Sequence, residues 1–281
     1  MTFTTRFAPS PTGPLHLGHA FSALLAFDMA AEMDGQFLLR IEDTDTSRAR
    51  PAWEAQIYDD LAWLGLTWAS PVLRQSEHLE RYNTDLMALA ARGLIYPCSC
   101  KRSDIHAALS APQEGVTSPP VYPGTCRGRA MSTRQPGDAL RLDMARAVET
   151  LTAPITFNET GTHAGTINID AATLTTETGD AVLGRKEIET VSYVLAAVLD
   201  DAAQSITHVI RGADLFDTTA LQVLLQRLFD LPTPVYYHHR LIRDDAGKRL
   251  AKRDDARALS KFRAEGATPN DIRRMVGLPE I

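Results

Sequence analysis

Apolar and polar positions along the first forty residues change period twice. Residues 2–8 read as a short strand, and the proline- and glycine-rich string PSPTGPLHLGHA follows at once. Leu17, Phe21, Leu24, Leu25 and Met29 then recur at helical spacing, and Gly35 closes that helix. The next run, QFLLRI, is almost continuously apolar, as in a strand buried on both faces of a parallel sheet. The pattern predicts a strand, a tight turn, a helix and a second parallel strand. Further helices are predicted over residues 51–64, with Pro51 in the first turn, and 78–92, closed by Gly93.

Between Cys98 and Cys126 the periodicity gives way to a turn-rich stretch containing Pro112, Gly115, Pro119, Pro120, Pro123 and Gly124. Short strand-like pieces at 139–142 and 155–158 continue it. From Val191 the order helix, strand, helix, strand returns in VSYVLAAVLDDA, ITHVIRG, residues 218–229 and VYYHHRLI. The expected architecture is α/β: a Rossmann-like parallel-sheet domain whose halves, 1–96 and 181–243, are separated by an inserted module, 97–180. Residues 244–281 are left for a basic loop and short helices.

Composition narrows the class. With 281 residues and 44% hydrophobic content, the chain can bury a substantial core. The apolar stretch 20–31 is interrupted by Ser22 and Asp28 and falls short of the roughly 20 residues of a membrane span. The start lacks a signal-peptide pattern, so a soluble cytoplasmic protein, not associated with membranes, is expected. A net charge of -6 argues against a protein that coats nucleic acid by bulk electrostatics. Three cysteines, Cys98, Cys100 and Cys126, do not make a disulfide framework.

The strand-to-helix turn suits a phosphate, because helix N-termini present unpaired N–H groups and a positive dipole end. His16 and His19 share one face there and can donate to developing charge on a phosphate, while Gly18 leaves room for a nucleoside to approach the backbone. On these residues alone, a surface loop with two histidines is the competing reading. The carboxylate run Glu42-Asp43-Thr44-Asp45 is not assigned to metal, since Mg²⁺ arrives with ATP. The cysteines gather in C-x-C and Y-x-x-x-C strings ending at Cys126, which suits either three buried thiols or a metal site whose fourth ligand is Tyr122 or His106.

The string PSPTGPLHLGHA matches the HIGH signature of the class I aminoacyl-tRNA synthetases, with His16-Leu17-Gly18-His19 as the signature itself. Arg249-Leu250-Ala251-Lys252-Arg253 resembles their KMSKS loop, in the KLSKR form of the glutamate enzymes. Arg249 keeps the charge of the first lysine; Ala251 lacks the usual hydroxyl. The resemblance implies His16, His19 and Lys252 as catalytic residues, and Pro9, Gly18, His16, His19, Arg249, Lys252 and Arg253 as ATP-binding. RFAPSPTGPLHLGHA, FLLRIEDTD, LAWLGLTW, ITHVIRGADL and GKRLAKRD, in that order, are similar to glutamyl-tRNA synthetases across nearly the whole chain. Arg6, Ala8, Ser10, Glu42, Tyr193 and Arg211 are then the implied glutamate-binding residues: an acid for the ammonium and arginines for the carboxylates.

The cysteine pattern resembles the zinc module of truncated glutamyl synthetase relatives, implying one structural Zn²⁺ per chain held by Cys98, Cys100, Tyr122 and Cys126. A full glutamyl-tRNA synthetase continues past the second signature into anticodon-binding helices, which are not expected here. That truncation and the string RGADLFDTTALQ resemble the glutamyl-queuosine tRNA(Asp) synthetases. The resemblance implies activation of L-glutamate by ATP without tRNA, then transfer to queuosine at the wobble position of tRNA(Asp), by a monomer. A short synthetase charging the 3′ end of tRNA(Glu), or a non-catalytic glutamate or nucleotide sensor, are the rival readings.

Overall fold

The structure is a computed structural model that describes residues 2–101, 103–104, 121–186, 190–243 and 258–281. The opening unit follows the predicted pattern: β1 (Thr4–Phe7), α1 (Leu17–Glu32) and β2 (Gln36–Ile41), with β1 and β2 parallel. β3 (Leu73–Arg74) extends this sheet beyond β2, after α2 (Pro51–Trp63). The later unit is α5 (Tyr193–Ala203), β9 (His208–Gly212), α6 (Thr218–Leu228) and β10 (Val235–His239), with β9 and β10 parallel. The two units meet at β1 and β9. There the Thr207 N–H donates to Thr4 O and the Thr4 N–H donates to Thr207 Oγ1, each at 2.9 Å.

The stretch expected to form a separate insert is divided between two sheets. β4 (Ile95–Cys98), β5 (Ala139–Leu142) and β8 (Val182–Gly184) make a three-stranded antiparallel sheet, in which β4 crosses the expected boundary after residue 96 and β8 lies in the second half. β6 (Ile155–Glu159) instead lies parallel to β10 and pairs with β7 (Gly165–Ile169), extending the sheet of the second half. The core explains this. Leu140, Leu142, Ile155 and Phe157 are buried in one cluster with Tyr82 and Leu86 of α3 (Leu79–Ala91), Met144 of α4 (Met144–Glu149), Leu195 of α5 and Val223 of α6. These apolar residues of segment 97–180 therefore pack into a core shared with both halves, while Cys98, Tyr122, Cys126 and Ala139 gather with Tyr96 in a small cluster of their own.

A second cluster packs Phe3, Leu24, Ile41 and Ile57 of the first half against Ile210, Leu259 and Ile272. The last two lie on α7 (Leu259–Ala264) and α8 (Pro269–Val276), the two short helices expected at this end. Among the described residues no helix is long and apolar enough to cross a membrane.

Candidate active site

The carboxyl ends of β1, β2 and β9 converge on a cavity of about 340 Å³. Arg6, Ala8, His16, Gly18, His19, Glu42, Tyr193 and Arg211 all line it. Pro9 and Ser10 sit on the adjoining turn and not in the wall; the Pro9 carbonyl accepts the Glu42 N–H at 3.1 Å, fastening the turn to the end of β2. Lys252, Arg249 and Arg253 lie outside the described residues, as does His106. The described ends of that loop do reach the site: Leu241 and Ile242 line the cavity, and Ala258 bridges to His16.

The histidines cap α1. The Gly18 N–H donates to His16 Nδ1 at 3.1 Å and the His16 N–H to His19 Nδ1 at 3.2 Å, with ring centroids 3.8 Å apart. With both Nδ1 atoms accepting, the proton of each neutral ring is on Nε2. A Cβ at Gly18 would lie 3.0 Å from His16 Cε1, so this glycine first makes room for the capping ring.

Each glutamate-pocket arginine is already held. Arg6 Nε donates to Asp201 Oδ1 at 2.9 Å and Nη2 to Oδ2 at 3.4 Å, leaving Nη1 and one Nη2 N–H as a fork. Arg40, fully buried, bonds Asp201 Oδ1 at 2.7 Å, Gln204 Oε1 at 3.1 Å and Glu42 Oε1 at 3.2 Å. Glu42 is therefore the ion-pair partner of Arg40 and not of Arg211. Burial raises the Glu42 carboxyl most, Arg40 and Arg6 oppose it, and the group is pushed up to about 7. Asp201 is also raised by burial, but Arg6 and Arg40 outweigh this and hold it below the carboxylate range. Burial and then Glu42 raise the Tyr193 phenol, keeping it a neutral hydroxyl.

Arg211 has a different setting. Nε donates to His238 Nε2 at 3.0 Å, Nη1 to Gln222 Oε1 at 2.6 Å, and Nη2 to Thr219 Oγ1 at 2.7 Å and Leu215 O at 3.3 Å. These bonds use four of the five guanidinium N–H groups, leaving one on Nη1. A bidentate grip by Arg211, expected from residue type, is thus not available without breaking a bond.

Reasoning from sequence missed Arg40 and Asp201, as well as two further residues of the wall, Ser22 and His239, which are 2.7 Å apart. A charged residue inside QFLLRI and paired acids inside VLAAVLDDA were the available signals. Asp43 and Asp45 have other work: Asp43 accepts the Ser76 N–H and hydroxyl, and Asp45 accepts from Ser47 and Arg48.

At the antiparallel sheet, the Cys98, Cys100 and Cys126 sulfurs lie within 4.8 Å of one another. Cys100 and Cys126 are 3.5 Å apart, and Tyr122 Oη is 3.3 Å from Cys98 Sγ and 3.5 Å from Cys100 Sγ. Ligands around one tetrahedral zinc stand about 3.8 Å apart for sulfur pairs and about 3.5 Å for a sulfur and an oxygen. The donor set fits that ion. Burial raises the Cys126 thiol, but bonds from Tyr122, the Ser99 backbone and the other thiols outweigh it and lower the group to about 6.

The family model for the catalytic domain of class I tRNA synthetases (E and Q) matches residues 2–279. A glutamyl-Q tRNA(Asp) synthetase of Rhodobacter capsulatus is 60% identical over 279 residues, 98% of this chain and 99% of that protein. Namesakes from Burkholderia cenocepacia and Symbiobacterium thermophilum are 42% and 38% identical, over 91% and 95% of this chain and 82% and 83% of theirs. A crystal structure of a glutamate tRNA ligase from Elizabethkingia meningosepticum in complex with its amino acid superposes with a TM-score of 0.75 at 26% identity. The superposition covers 98% of this chain, which spans 60% of the length of that ligase. A two-part parallel sheet with a histidine-capped helix start, matched over nearly its whole length, places the chain in the class I tRNA synthetases (E and Q), within the glutamyl-Q tRNA(Asp) synthetase family.

Proposed function

We propose that this protein activates L-glutamate with ATP to glutamyl-adenylate, without tRNA, and transfers the glutamyl group to queuosine at the wobble position of tRNA(Asp). The observation that carries the reading is the single cavity in which Arg6, Glu42, Tyr193 and Arg211 face the same helix start as His16, Gly18 and His19. Glutamate's ammonium is met by Glu42 and its carboxylates by the Arg6 fork and the one Arg211 N–H. Attack of the α-carboxylate on the α-phosphorus of ATP expels pyrophosphate. The two Nε2 donors of His16 and His19 stabilise the charge that develops, and holding both substrates in one cavity supplies proximity. A queuosine hydroxyl then attacks the mixed anhydride, releasing AMP.

Lys252, with Arg249 and Arg253, is assigned to the ATP phosphates on the strength of the sequence signature. Mg²⁺ enters with ATP as part of the substrate. Cys98, Cys100, Tyr122 and Cys126 would hold a structural Zn²⁺, which ties β4 to the chain before β5 and takes no part in the reaction. The same reading takes residues 1–96 and 181–243 as the catalytic halves, 97–180 as the zinc-bearing stretch and 244–281 as the second signature with its helices. It describes a cytoplasmic monomer.

Glutamate-dependent pyrophosphate exchange without tRNA tests the first step; its absence in zinc-replete protein would sink the reading. Labelled glutamate offered to queuosine-containing tRNA is expected at the anticodon after nuclease mapping. Label on the 3′-terminal adenosine would instead identify a short tRNA(Glu)-charging enzyme. Metal analysis of the purified protein is expected to return one zinc per chain, and a value of zero removes that assignment.

A further inference from the structure

Arg211 touches the cavity, but what aims it lies behind the wall. Its Nε–H needs an acceptor, and that acceptor is His238 Nε2, 3.0 Å away. A neutral imidazole accepts at one nitrogen only, so the His238 proton must be on Nδ1. Nδ1 stands 2.7 Å from Glu159 Oε2. His238 is 0% exposed and Glu159 2% exposed, so neither can turn to water for a substitute partner.

Glu159 is itself fixed with little freedom. Its Oε1 accepts the His238 N–H at 3.0 Å and the Gly161 N–H at 2.8 Å. The turn after β6 is pressed onto β10: Thr160 and Thr162 donate N–H bonds to Tyr236 O and His238 O, at 2.9 and 3.0 Å. A Cβ at Gly161 would come within 2.5 Å of His238 O and 2.9 Å of Glu159 Oε1. Two oxygens therefore meet three N–H donors, and all of them require a carboxylate that only accepts.

We propose that Glu159 is a positioning residue for amino-acid recognition: by fixing His238 as its Nδ1–H tautomer, it keeps the Nε2 lone pair on Arg211 and the last Arg211 N–H on the substrate. The inference rests on the reading that Arg211 binds glutamate. Glu159 belongs to the stretch read from sequence as an insert, which thereby reaches into the substrate pocket through two intermediaries. If the proton moved to Nε2, the ring would present a donor to the Arg211 donor, and the guanidinium would have to turn away.

Glu159→Gln isolates this role, because it changes one atom and no volume. Its single carbonyl oxygen is claimed by the two backbone N–H groups, so its amide NH₂ faces Nδ1 and drives the proton to Nε2. The expected result by ¹⁵N NMR of histidine-labelled protein is an Nδ1–H signature for His238 in the wild type and an Nε2–H signature in the variant. In pyrophosphate exchange, the KM for glutamate should rise about tenfold or more while the KM for ATP stays within about twofold. An Nε2–H tautomer in wild-type protein overturns the proposal even if the variant does not fold. A folded variant with wild-type KM for glutamate, in an assay where the wild type exchanges, overturns the relay alone. Wild-type protein without glutamate-dependent exchange sinks the activity and leaves the tautomer measurement to decide the relay.

Discussion

Arg6 and Arg211 enter one cavity from opposite halves of the sheet, and they are held by opposite means. Arg6 is gripped by a carboxylate, Asp201, which also serves Arg40 and through it Glu42. Arg211 lies among uncharged acceptors, Gln222, Thr219, the Leu215 carbonyl and His238, and its nearest bonded carboxylate is one residue further back. The ion pair occupies one edge of a guanidinium and leaves a fork exposed. The neutral cradle consumes nearly every donor and leaves a single directed N–H. Two residues of one type thus offer different recognition, a strong planar grip and a geometric check.

The sharpest way to break this contrast is to remove the acceptors. Asp201→Ala removes the carboxylate that holds buried Arg6 and one of those that hold buried Arg40, and should lower unfolding stability by about 3–5 kcal/mol, whereas Gln222→Ala, which removes one neutral acceptor, should cost about 1–2 kcal/mol. Equal losses in denaturant melts would erase the distinction between ion pair and cradle. A smaller effect is expected from exchanging the cations themselves. Arg6→Lys loses the fork and should reduce kcat/KM for glutamate about 100-fold, against about tenfold for Arg211→Lys. The reverse order in exchange kinetics would assign the grip to the wrong arginine.

The mildest test uses pH. Glu42 must be ionised to receive an ammonium, and its carboxyl is raised from 4.5 to about 7, by burial first. The KM for glutamate should therefore climb as pH falls below about 7, approaching tenfold per unit, with the KM for ATP flat. Glu42→Gln should abolish that slope. The stability linkage has the opposite sense: a carboxyl whose folded value exceeds the unfolded one favours folding most below about 4.5, and that contribution is lost as pH rises through about 7. A pH-independent KM would mean that the ammonium is met by another group.

Much of this was legible in the chain. QFLLRI and residues 139–142 form strands at the expected bounds, since uninterrupted apolar runs between turn residues leave little choice of end. Of the six implied glutamate residues, Ser10 alone falls outside the cavity wall, because the turn carries it past the end of β1. The partners of those residues were not legible. Asp201 follows Arg6 by 195 positions and His238 follows Glu159 by 79, and nothing local in sequence selects such pairs. The same holds for β6, whose place beside β10 is decided by packing in a shared core rather than by its own pattern.

The Thr4–Thr207 contact, 203 residues apart in sequence, has a kinetic consequence. β1 finds its neighbour β9 only after most of the chain exists, so the two walls of the pocket cannot assemble during early synthesis. Closing so long a loop raises contact order and slows the final docking of halves. Arg6 emerges first from the ribosome and waits for Asp201 and Arg211, so the ability to recognise substrate should appear as one of the last events of folding.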